Sequence, residues 1–266
     1  MTSPSEEVIW ITGASSGIGE ALTYEYAKRE VRLIISARRK DELERVKQNC
    51  SHRSHSNIHI LPLDLSKHST LQAIVTEALQ IFGRIDILVN NGGLGQRSLI
   101  QETSLEVDRQ LMEVNYFGTI AITKYLLPHF IYRQRGHIAT VTSLTGKFGT
   151  PYRSAYAASK HALHGFFDAL RAEHWKDNIH VTMICPGFIQ TKLSAAALKG
   201  DGSAQVQLDK TSYKKKSPEW CAMRIVRAIE KRREEVYIGG REVLGVYIKR
   251  FFPRVFSKLI RKVPVR

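Results

Sequence analysis

Seven short apolar runs rich in β-branched residues alternate along the chain with stretches of helical periodicity. This alternation is typical of parallel strands joined by right-handed helical crossovers, with a ligand crevice at the carboxyl ends of the strands. The chain has 266 residues, 43% of them hydrophobic, so one domain can bury a complete core. We therefore predict an α/β fold with strands at 8–12, 31–37, 57–63, 85–90, 136–143, 179–185 and 235–238.

A glycine-rich turn follows the first predicted strand. The run Gly13-Ala-Ser-Ser-Gly17-Ile-Gly19 stands between this strand and a helical pattern from Glu20 to Arg29. Gly13 permits a tight turn, Gly17 lets the backbone approach a pyrophosphate, and Gly19 allows the helix to pack closely on the strand. The pyrophosphate then meets free amide groups at the helix N-terminus. Glycine-rich loops are common, but this position between a strand and a helix favours a dinucleotide site.

The second predicted strand is followed by Arg38-Arg39-Lys40. Folds specific for NAD usually carry an acidic residue here, which binds the ribose 2'-hydroxyl, and this chain has none. Because a guanidinium group suits a 2'-phosphate, we predict a preference for NADP(H) over NAD(H). The alternative is a basic turn that contacts only solvent.

Tyr156 and Lys160 are one helical turn apart, and Ser143 ends the apolar run before them. Residues four apart share a helix face, so we expect the Lys160 ammonium to lie close to the Tyr156 phenol. Lowering a tyrosine pKa from about 10 to near 7 takes about 4 kcal/mol. One unit charge about 4 Å away supplies roughly that at an effective dielectric of about 20, so no further residue is needed to tune the phenol. The pair predicts a general acid and base, although alone it is more often a surface contact.

Several further motifs occur in a fixed order along residues 8–240. They are TGASSGIG at 12–19, Asp64 in LDLS, NNGG at 90–93, Asn115 and Pro186-Gly187. With Ser143, Tyr156 and Lys160 they strongly resemble the short-chain dehydrogenase/reductase family. The chain looks most similar to the membrane-associated branch with dehydrogenase/reductase member 7B and the 11-beta-hydroxysteroid dehydrogenases. The resemblance implies one Rossmann-type domain over residues 1–240, with a doubly wound, seven-stranded parallel sheet in three α/β/α layers.

The resemblance also implies a proton relay built on Asn115, Ser143, Tyr156 and Lys160. Ser143 would hydrogen-bond the substrate oxygen, and Asn115 would connect Lys160 to water. Lys160 would also hold the nicotinamide ribose. Taken alone, Asn115 in the pattern MEVNYFGT reads as an ordinary amide in a helix interior.

The same resemblance assigns residues to the cofactor. By position, Asp64 and Leu65 would meet the adenine, Asn90 the adenosine ribose, and Ile189 and Thr191 the nicotinamide carboxamide. The family usually has NNAG where this chain has NNGG; Gly92 lacks only a methyl group, so we expect binding to persist. The complete expected cofactor site is Gly13, Ser15, Ser16, Gly17, Ile18, Gly19, Arg38, Arg39, Asp64, Leu65, Asn90, Gly92, Tyr156, Lys160, Pro186, Gly187, Ile189 and Thr191.

Cysteine usage favours a reducing, cytoplasmic compartment over a disulfide framework, because the three cysteines are scattered and odd in number. The histidines near Cys50 have no established metal-site spacing, so we expect no metal. No secretory signal precedes Val8, and no apolar run reaches the roughly 18–20 residues that span a bilayer. We expect a soluble or peripheral body, assembled as a homodimer or homotetramer. The residues concerned are Cys50, Cys185, Cys221, His52, His55 and His59.

The C-terminal tail, residues 241–266, carries eight lysines or arginines and one glutamate in a chain with a formal net charge of +15. Apolar residues recur at helical spacing, basic residues occupy the other face, and a break is expected at Pro253. Such a helix can lie in the headgroup layer of an anionic membrane, or its apolar stripe can pack on the domain or a partner subunit. No recognised nucleic-acid-binding module accompanies the charge, so nucleic acid is not expected as a partner. The apolar residues are Ile248, Phe251, Phe252, Val255, Phe256, Leu259, Ile260 and Val263.

The stretch between Thr191 and Ser217 is small and polar, with Gly200, Gly202 and Lys214 to Lys216. In the family the equivalent stretch covers the substrate, so we expect a mobile lid. The plainer alternative is an ordinary surface loop.

Together these patterns predict an NADPH-dependent carbonyl reductase, or the reverse alcohol oxidation, with Tyr156 as acid and base. The sequence shows no charged selector for the substrate, and a peripheral enzyme would meet lipophilic ketones such as steroids, retinoids or long-chain keto-lipids. Two alternatives stay open. One is a non-catalytic NADP(H) sensor or scaffold, which the intact Ser143, Tyr156 and Lys160 set disfavours. The other is NAD-linked alcohol oxidation, which Arg38 disfavours.

Overall fold

The computed structural model describes residues 7–29, 31–191, 197–205 and 215–262. These residues form one seven-stranded sheet, all parallel, in the order β3-β2-β1-β4-β5-β6-β7. The direction of winding reverses between β1 and β4, which confirms the predicted doubly wound α/β fold. The strands are β1 (Glu7–Thr12), β2 (Val31–Ser36), β3 (Ile58–Ile60), β4 (Ile87–Asn90), β5 (Gly136–Val141), β6 (Ile179–Pro186) and β7 (Glu235–Ile238).

Helices cover both faces of the sheet and complete the three layers. On one face a core built around Ile9 and Leu22 contains residues of α1, α2 and α7. On the other face a core built around Trp10 and Phe167 contains residues of α3, α5 and α6. The helices are α1 (Gly17–Ala27), α2 (Lys40–Gln48), α3 (His68–Phe82), α4 (Leu105–Met112), α5 (Gly118–Arg133), α6 (Ser154–Glu173), α7 (Pro218–Glu230), α8 (Leu244–Phe251) and α9 (Pro253–Ile260).

The central strands are apolar along their whole length because both of their faces are covered. Every residue of β5 is buried, and in β1 only Glu7 at the edge is partly exposed. Continuous apolar runs, rather than alternating ones, are typical of parallel sheets covered on both sides. This explains why the strands were predictable from the sequence.

Several element boundaries differ from the predicted ones by one to three residues, at the start of α1 and at the ends of most strands. Helix α1 begins at Gly17, three residues before the predicted Glu20, because the extended backbone of Ser16 already forms its N-cap. Strand β3 ends at Ile60, although a longer run was predicted. Beyond Ile60 the backbone still follows β2, because the Leu61 and Leu63 N–H groups donate to the carbonyls of Ile35 and Ala37, both at 3.0 Å. Pro62 lies between these two donors, and its nitrogen faces the open edge of the sheet.

The C-terminal tail forms α8 and α9, which meet at Phe252 beside the expected break at Pro253. Val246 and Phe256 are buried against Leu144 and Phe148, so one face of the tail packs on the domain. None of the described helices combines the length and apolar character that crossing a membrane requires. Of the residues named above in the predicted lid and tail, Lys214 and Val263 lie outside the described residues.

Candidate active site

A cavity of about 970 Å³ opens at the carboxyl ends of β1, β2, β4, β5 and β6, where the winding of the sheet reverses. Most of the residues predicted for the site line it together. They are Gly13, Ser15, Ser16, Gly17, Ile18, Arg38, Arg39, Asp64, Leu65, Gly92, Ser143, Tyr156, Lys160, Pro186, Gly187, Ile189 and Thr191. Gly19, Asn90 and Asn115 do not line the cavity but lie behind its wall.

The glycine turn forms a cradle that only glycine fits. Gly13 and Gly17 have φ of +65° and +59°, in the left-handed region. A Cβ on Gly13 would lie 2.6 Å from the Cα of Gly92, and one on Gly19 would lie 2.2 Å from the Gly13 carbonyl oxygen. Asn91 Nδ2 donates to the same carbonyl at 3.0 Å and joins the turn to the loop after β4. The cradle fits a dinucleotide whose phosphates approach the backbone at the start of α1.

Gly92, the departure from the family motif, lies against Leu65. A Cβ on Gly92 would approach Leu65 Cδ1 to 2.7 Å, so an alanine here requires this side chain to shift. Leu65 Cδ1 thus lies where it would clash with a methyl group on residue 92.

Asn90 is 3% exposed and faces the interior of the fold. Its Nδ2 donates to Thr123 Oγ1 at 3.1 Å, which ties the end of β4 to α5. The neighbouring Asn91 lines the cavity instead. The predicted contact of Asn90 with the adenosine ribose stays a prediction.

The two basic residues after β2 stand at the edge of the cavity. Arg38 and Arg39 are exposed and line it beside Asp64. Burial alone would raise the pKa of Asp64, but hydrogen bonds from Ser66 and the positive charges of Arg38 and Lys67 bring it below its ordinary value. Asp64 is therefore ionised at neutral pH and helps to hold Arg38 at this edge.

Ser143, Tyr156 and Lys160 meet at the ends of β5 and β6. Ser143 Oγ accepts hydrogen bonds from the N–H and hydroxyl of Thr145, at 3.1 and 3.0 Å. Burial raises the pKa of Tyr156, whereas the charge of Arg153, a hydrogen bond with Ser143 and the charge of Arg97 lower it. Burial has the largest effect, so the pKa of Tyr156 lies above its ordinary value and the phenol is protonated at neutral pH, whereas a lowering to near 7 was expected.

Lys160 is hydrogen-bonded to the end of β5. Its Nζ donates to the Val141 carbonyl at 3.0 Å and lies 5.8 Å from the centre of the Tyr156 ring. Burial lowers the pKa of Lys160 to about 8. The expectation that this ammonium alone tunes the phenol differs from the structure, in which Arg153 and Arg97 are the cations that lower the Tyr156 pKa.

Asn115 is fully buried in a π-helical turn, Glu113–Phe117, between α4 and α5. Its Oδ1 accepts from the Leu94 N–H at 2.7 Å, and its Nδ2 donates to the Leu94 carbonyl and to Ser159 Oγ, both at 3.0 Å. The side chain thus braces the loop after β4 against α6. Its predicted place in a proton relay stays a prediction.

Comparison with known proteins agrees with this geometry. The short chain dehydrogenase family matches residues 7–201. The chain belongs to the short-chain dehydrogenase/reductase family. It is 42% identical to the human dehydrogenase/reductase SDR family member 7 over 94% of this chain and 75% of that protein. It is 39% identical to a Drosophila melanogaster SDR family protein 7-like over 98% of this chain and 81% of the relative.

A solved structure shows the same family architecture. A short-chain dehydrogenase from Streptomyces avermitilis superposes with a TM-score of 0.81 and 26% identity, covering 97% of this chain and 96% of that one. This protein is therefore an oxidoreductase of the short-chain dehydrogenase/reductase family, and its membership implies a nicotinamide cofactor.

Several cavity residues were missed from the sequence. Arg97 and Arg153 line the cavity near Tyr156, and Leu94, Val114 and Phe188 add apolar wall. Arg153 stands three residues before Tyr156, and this spacing was the one available signal. Arg97 lies in the loop after β4. It comes close to Tyr156 only because this loop packs against the start of α6.

The histidines beside Cys50 form no metal cluster among the residues that the structure describes. His55 Nε2 instead contacts the Cys50 carbonyl at 3.1 Å. This stretch is a 3₁₀ turn between α2 and β3. It lies outside the residues that line the cavity.

Proposed function

We propose that this protein is an NADP(H)-dependent oxidoreductase that interconverts a carbonyl and an alcohol, with Tyr156 as acid and base. One observation carries the proposal: Ser143, Tyr156 and Lys160 line the same cavity as the glycine cradle. A complete set of proton-exchanging groups therefore shares one enclosed space with a dinucleotide site. The set argues against a purely sensing or scaffolding role, since no catalytic group is missing.

The chemistry follows from which groups hold protons. Bound NADPH supplies a hydride, and NADP⁺ accepts one in the reverse reaction. Tyr156 is protonated at neutral pH, so it donates its proton to the carbonyl oxygen as the alcohol forms. Ser143 Oγ accepts two hydrogen bonds from Thr145 and donates its own proton to the Pro186 carbonyl in a long bond of 3.5 Å. This weakly held proton would turn to the substrate oxygen when a carbonyl compound binds.

Lys160 and Asn115 support this exchange. Lys160 Nζ lies 5.8 Å from the centre of the Tyr156 ring and would hold the nicotinamide ribose beside it. Asn115 Oδ1 and Lys160 Nζ both lie close to Gly93, at 3.0 and 3.6 Å from the position of a Cβ on that residue, and Asn115 would connect Lys160 to water. The same residues serve reduction and oxidation, so cofactor supply sets the direction.

The preference for NADP(H) rests on the end of β2. Arg38 and Arg39 line the cavity, and no carboxylate follows the strand at the point where NAD-linked folds bind a ribose hydroxyl. Two guanidinium groups at this edge suit a 2'-phosphate. NAD-linked alcohol oxidation is accordingly disfavoured.

The substrate and its setting are proposed from the apolar surfaces. Leu94, Val114 and Phe188 give the cavity an apolar wall that suits a lipophilic carbonyl compound. On α8 and α9, Phe251 and Phe252 are 69% and 63% exposed, beside a row of basic residues. We include peripheral attachment of this cytoplasmic protein to an anionic membrane in the proposal.

The membrane contact is tested with point variants, because Phe256 anchors the tail in the core and truncation would expose it. A variant carrying both Phe251→Ser and Phe252→Ser should pellet less with phosphatidylserine vesicles than the wild type. Tyr132→Ser, at the 90% exposed Tyr132, should pellet like the wild type. Equal pelleting of all three proteins would contradict the proposed membrane attachment.

Assembly as a homodimer or homotetramer is also part of the proposal. Light scattering of the purified protein measures the oligomeric state.

The activity itself is tested with a panel of hydrophobic ketones and aldehydes. Each compound is mixed with the protein and NADPH, and the fall in NADPH absorbance is followed. We expect turnover with at least one lipophilic carbonyl compound and slower turnover with NADH. Tight NADPH binding without turnover of any compound would favour the sensor instead.

A further inference from the structure

Two arginines stand beside the tyrosine that is proposed to exchange the proton. Arg97 follows the loop after β4, and Arg153 immediately precedes α6. Both are partly buried, and both line the cavity that contains Tyr156. Arg153 is the N-cap residue of the helix that carries Tyr156, and Gln96, next to Arg97 in the chain, accepts a hydrogen bond from the Tyr156 N–H at 3.1 Å. Both arginines therefore lie near the reacting end of the cavity.

A buried glutamine joins the two backbone segments that carry these arginines. Gln96 is fully buried; its Oε1 accepts from the Tyr156 N–H and its Nε2 donates to Ser154 Oγ, both at 3.1 Å. The Ser98 N–H also donates to the Tyr152 carbonyl at 3.2 Å. These bonds join the segment that carries Arg97 to the segment that carries Arg153. A buried, satisfied polar network of this kind fixes the two backbones relative to each other and to Tyr156.

The phosphates of a dinucleotide already have a place elsewhere in the cavity. The glycine cradle after β1 and Arg38 after β2 suit the pyrophosphate and the 2'-phosphate. Arg97 and Arg153 belong to the loop after β4 and the start of α6, next to Tyr156. Both arginines therefore belong to the part of the cavity wall that adjoins Tyr156.

We propose that Arg97 and Arg153 bind an anionic group of the substrate, so that the enzyme acts on carbonyl compounds that carry a carboxylate or phosphate beside an apolar body. The inference rests on the proposed function and narrows its substrate class. A guanidinium group offers a planar fork of donors that matches either oxyanion, and two such groups in a partly enclosed cavity select for negative charge. The apolar wall at Leu94 and Phe188 then takes the remainder of the molecule.

Binding is measured without turnover, so that the result does not depend on catalysis. With NADP⁺ present no ketone can be reduced, and calorimetry gives the Kd of γ-benzoylbutyrate and of its methyl ester, which lacks the negative charge and carries one additional methyl group. In the wild type we expect the carboxylate to bind at least about tenfold more tightly than the ester, as a charge-assisted hydrogen bond would give. Equal or tighter binding of the ester, or no binding of the carboxylate, would overturn the inference, and this comparison needs no variant.

Variants then test whether Arg97 and Arg153 cause the preference for the carboxylate over the ester. Arg97→Gln and Arg153→Gln should each lose most of the preference for the carboxylate, while the Kd of the ester stays within about twofold of the wild type. Arg109→Gln, an exposed arginine of α4 outside the cavity, should keep the preference. A preference that survives in the Arg97→Gln, Arg153→Gln double variant would overturn the assignment. Circular dichroism of each variant confirms that it is folded.

Two further measurements, competition in the calorimetry and turnover of neutral and anionic ketones, distinguish this inference from the proposed function. Inorganic phosphate and a phosphorylated ketone are included as competitors in the calorimetry, which distinguishes a phosphate preference from a carboxylate preference. If the carboxylate binds through the arginines but no carbonyl compound is ever reduced, the anion site stands and the proposed activity falls. If neutral and anionic ketones are reduced with equal KM, the activity stands and the anion site falls.

Discussion

Lys160 Nζ donates a hydrogen bond to the Val141 carbonyl oxygen at 3.0 Å and lies 5.8 Å from the centre of the Tyr156 ring. The two residues share one face of α6, as residues four apart must. Yet the lysine is directed toward the end of β5, and the phenol is tuned by Arg153, Ser143 and Arg97 against the effect of burial. The electrostatics of the site therefore involves cations from two loops as well as from the helix.

The charge of Arg153 should affect how alcohol oxidation depends on pH. Alcohol oxidation needs the Tyr156 phenolate, and Arg153 lowers the Tyr156 pKa. Replacing it by glutamine should raise this pKa, so the rising limb of kcat against pH for alcohol oxidation should move to higher pH. Arg109→Gln should leave the limb in place. A limb unchanged in Arg153→Gln would show that this charge does not act on the phenol.

Arg38 should determine cofactor preference. Arg38→Ala removes a guanidinium from the edge of the cavity, so the Kd of NADPH should rise roughly tenfold while that of NADH changes little. Lys40→Ala, which removes a neighbouring charge that does not line the cavity, should change neither. Fluorescence titration of both cofactors with both variants measures this. Equal loss of NADPH and NADH affinity would point to a structural role for Arg38.

Gly13 should be essential for cofactor binding because of its neighbours as well as its conformation. Gly13 and Gly83 both have positive φ, but a Cβ on Gly13 meets the backbone of Gly92 at 2.6 Å and one on Gly83 meets nothing within 4 Å. Gly83→Ala should cost about 1–2 kcal/mol of stability and leave the NADPH Kd unchanged. Gly13→Ala should weaken NADPH binding at least tenfold. Similar NADPH affinities in both variants would contradict the cradle.

His137 should make the fold sensitive to acid. It is 7% exposed, and burial, with the nearby charges of His180 and Arg232, lowers its pKa from 6.5 to about 3. As pH falls below 6.5 the unfolded chain binds a proton that the native protein does not, so stability present above pH 6.5 is lost progressively toward pH 3. By pH 5 this group alone costs about 2 kcal/mol.

The measurement is urea unfolding at pH 7.5 and pH 5. His137→Gln should lose about 2 kcal/mol less of its unfolding free energy between the two pH values than the wild type does. His52→Gln, at an exposed position, should lose as much as the wild type. A wild-type stability that does not fall between these pH values would contradict the assignment.

The fold was predictable because its signals are local. The buried strands are continuous apolar runs, and the turn from Gly13 to Gly19 carries its own conformational requirement. The predicted end of β3 was wrong because the apolar run continues past Ile60, where the chain leaves the regular strand although Leu61 and Leu63 still bond to β2. Long strands of uniform character therefore gave reliable positions, and their ends did not.

The site was predictable as a set of residues but not as a set of contacts. Asn90 sits in a strong motif, yet its side chain bonds to Thr123, which is distant in sequence. The roles of Arg97 and Arg153 arise where two segments 56 residues apart meet through Gln96 and Tyr156. Periodicity and motif spacing carry no record of such contacts, because they depend on how the loops pack.

Tyr156 is the residue on which the proposed activity depends most directly. Tyr156→Phe removes the phenol oxygen and leaves a ring of the same shape in an 8% exposed position, so the fold and the cofactor cradle should be preserved. With a carbonyl substrate from the panel, its kcat should fall at least about 100-fold. Tyr125→Phe, on the partly exposed face of α5, should behave as the wild type does.

The decisive measurement is NADPH oxidation by wild-type and Tyr156→Phe protein, each with its NADPH Kd determined in parallel. We expect turnover in the wild type, loss of turnover in Tyr156→Phe, and the same NADPH affinity in both proteins. Unchanged turnover in Tyr156→Phe would contradict the assignment of Tyr156 as the acid and base.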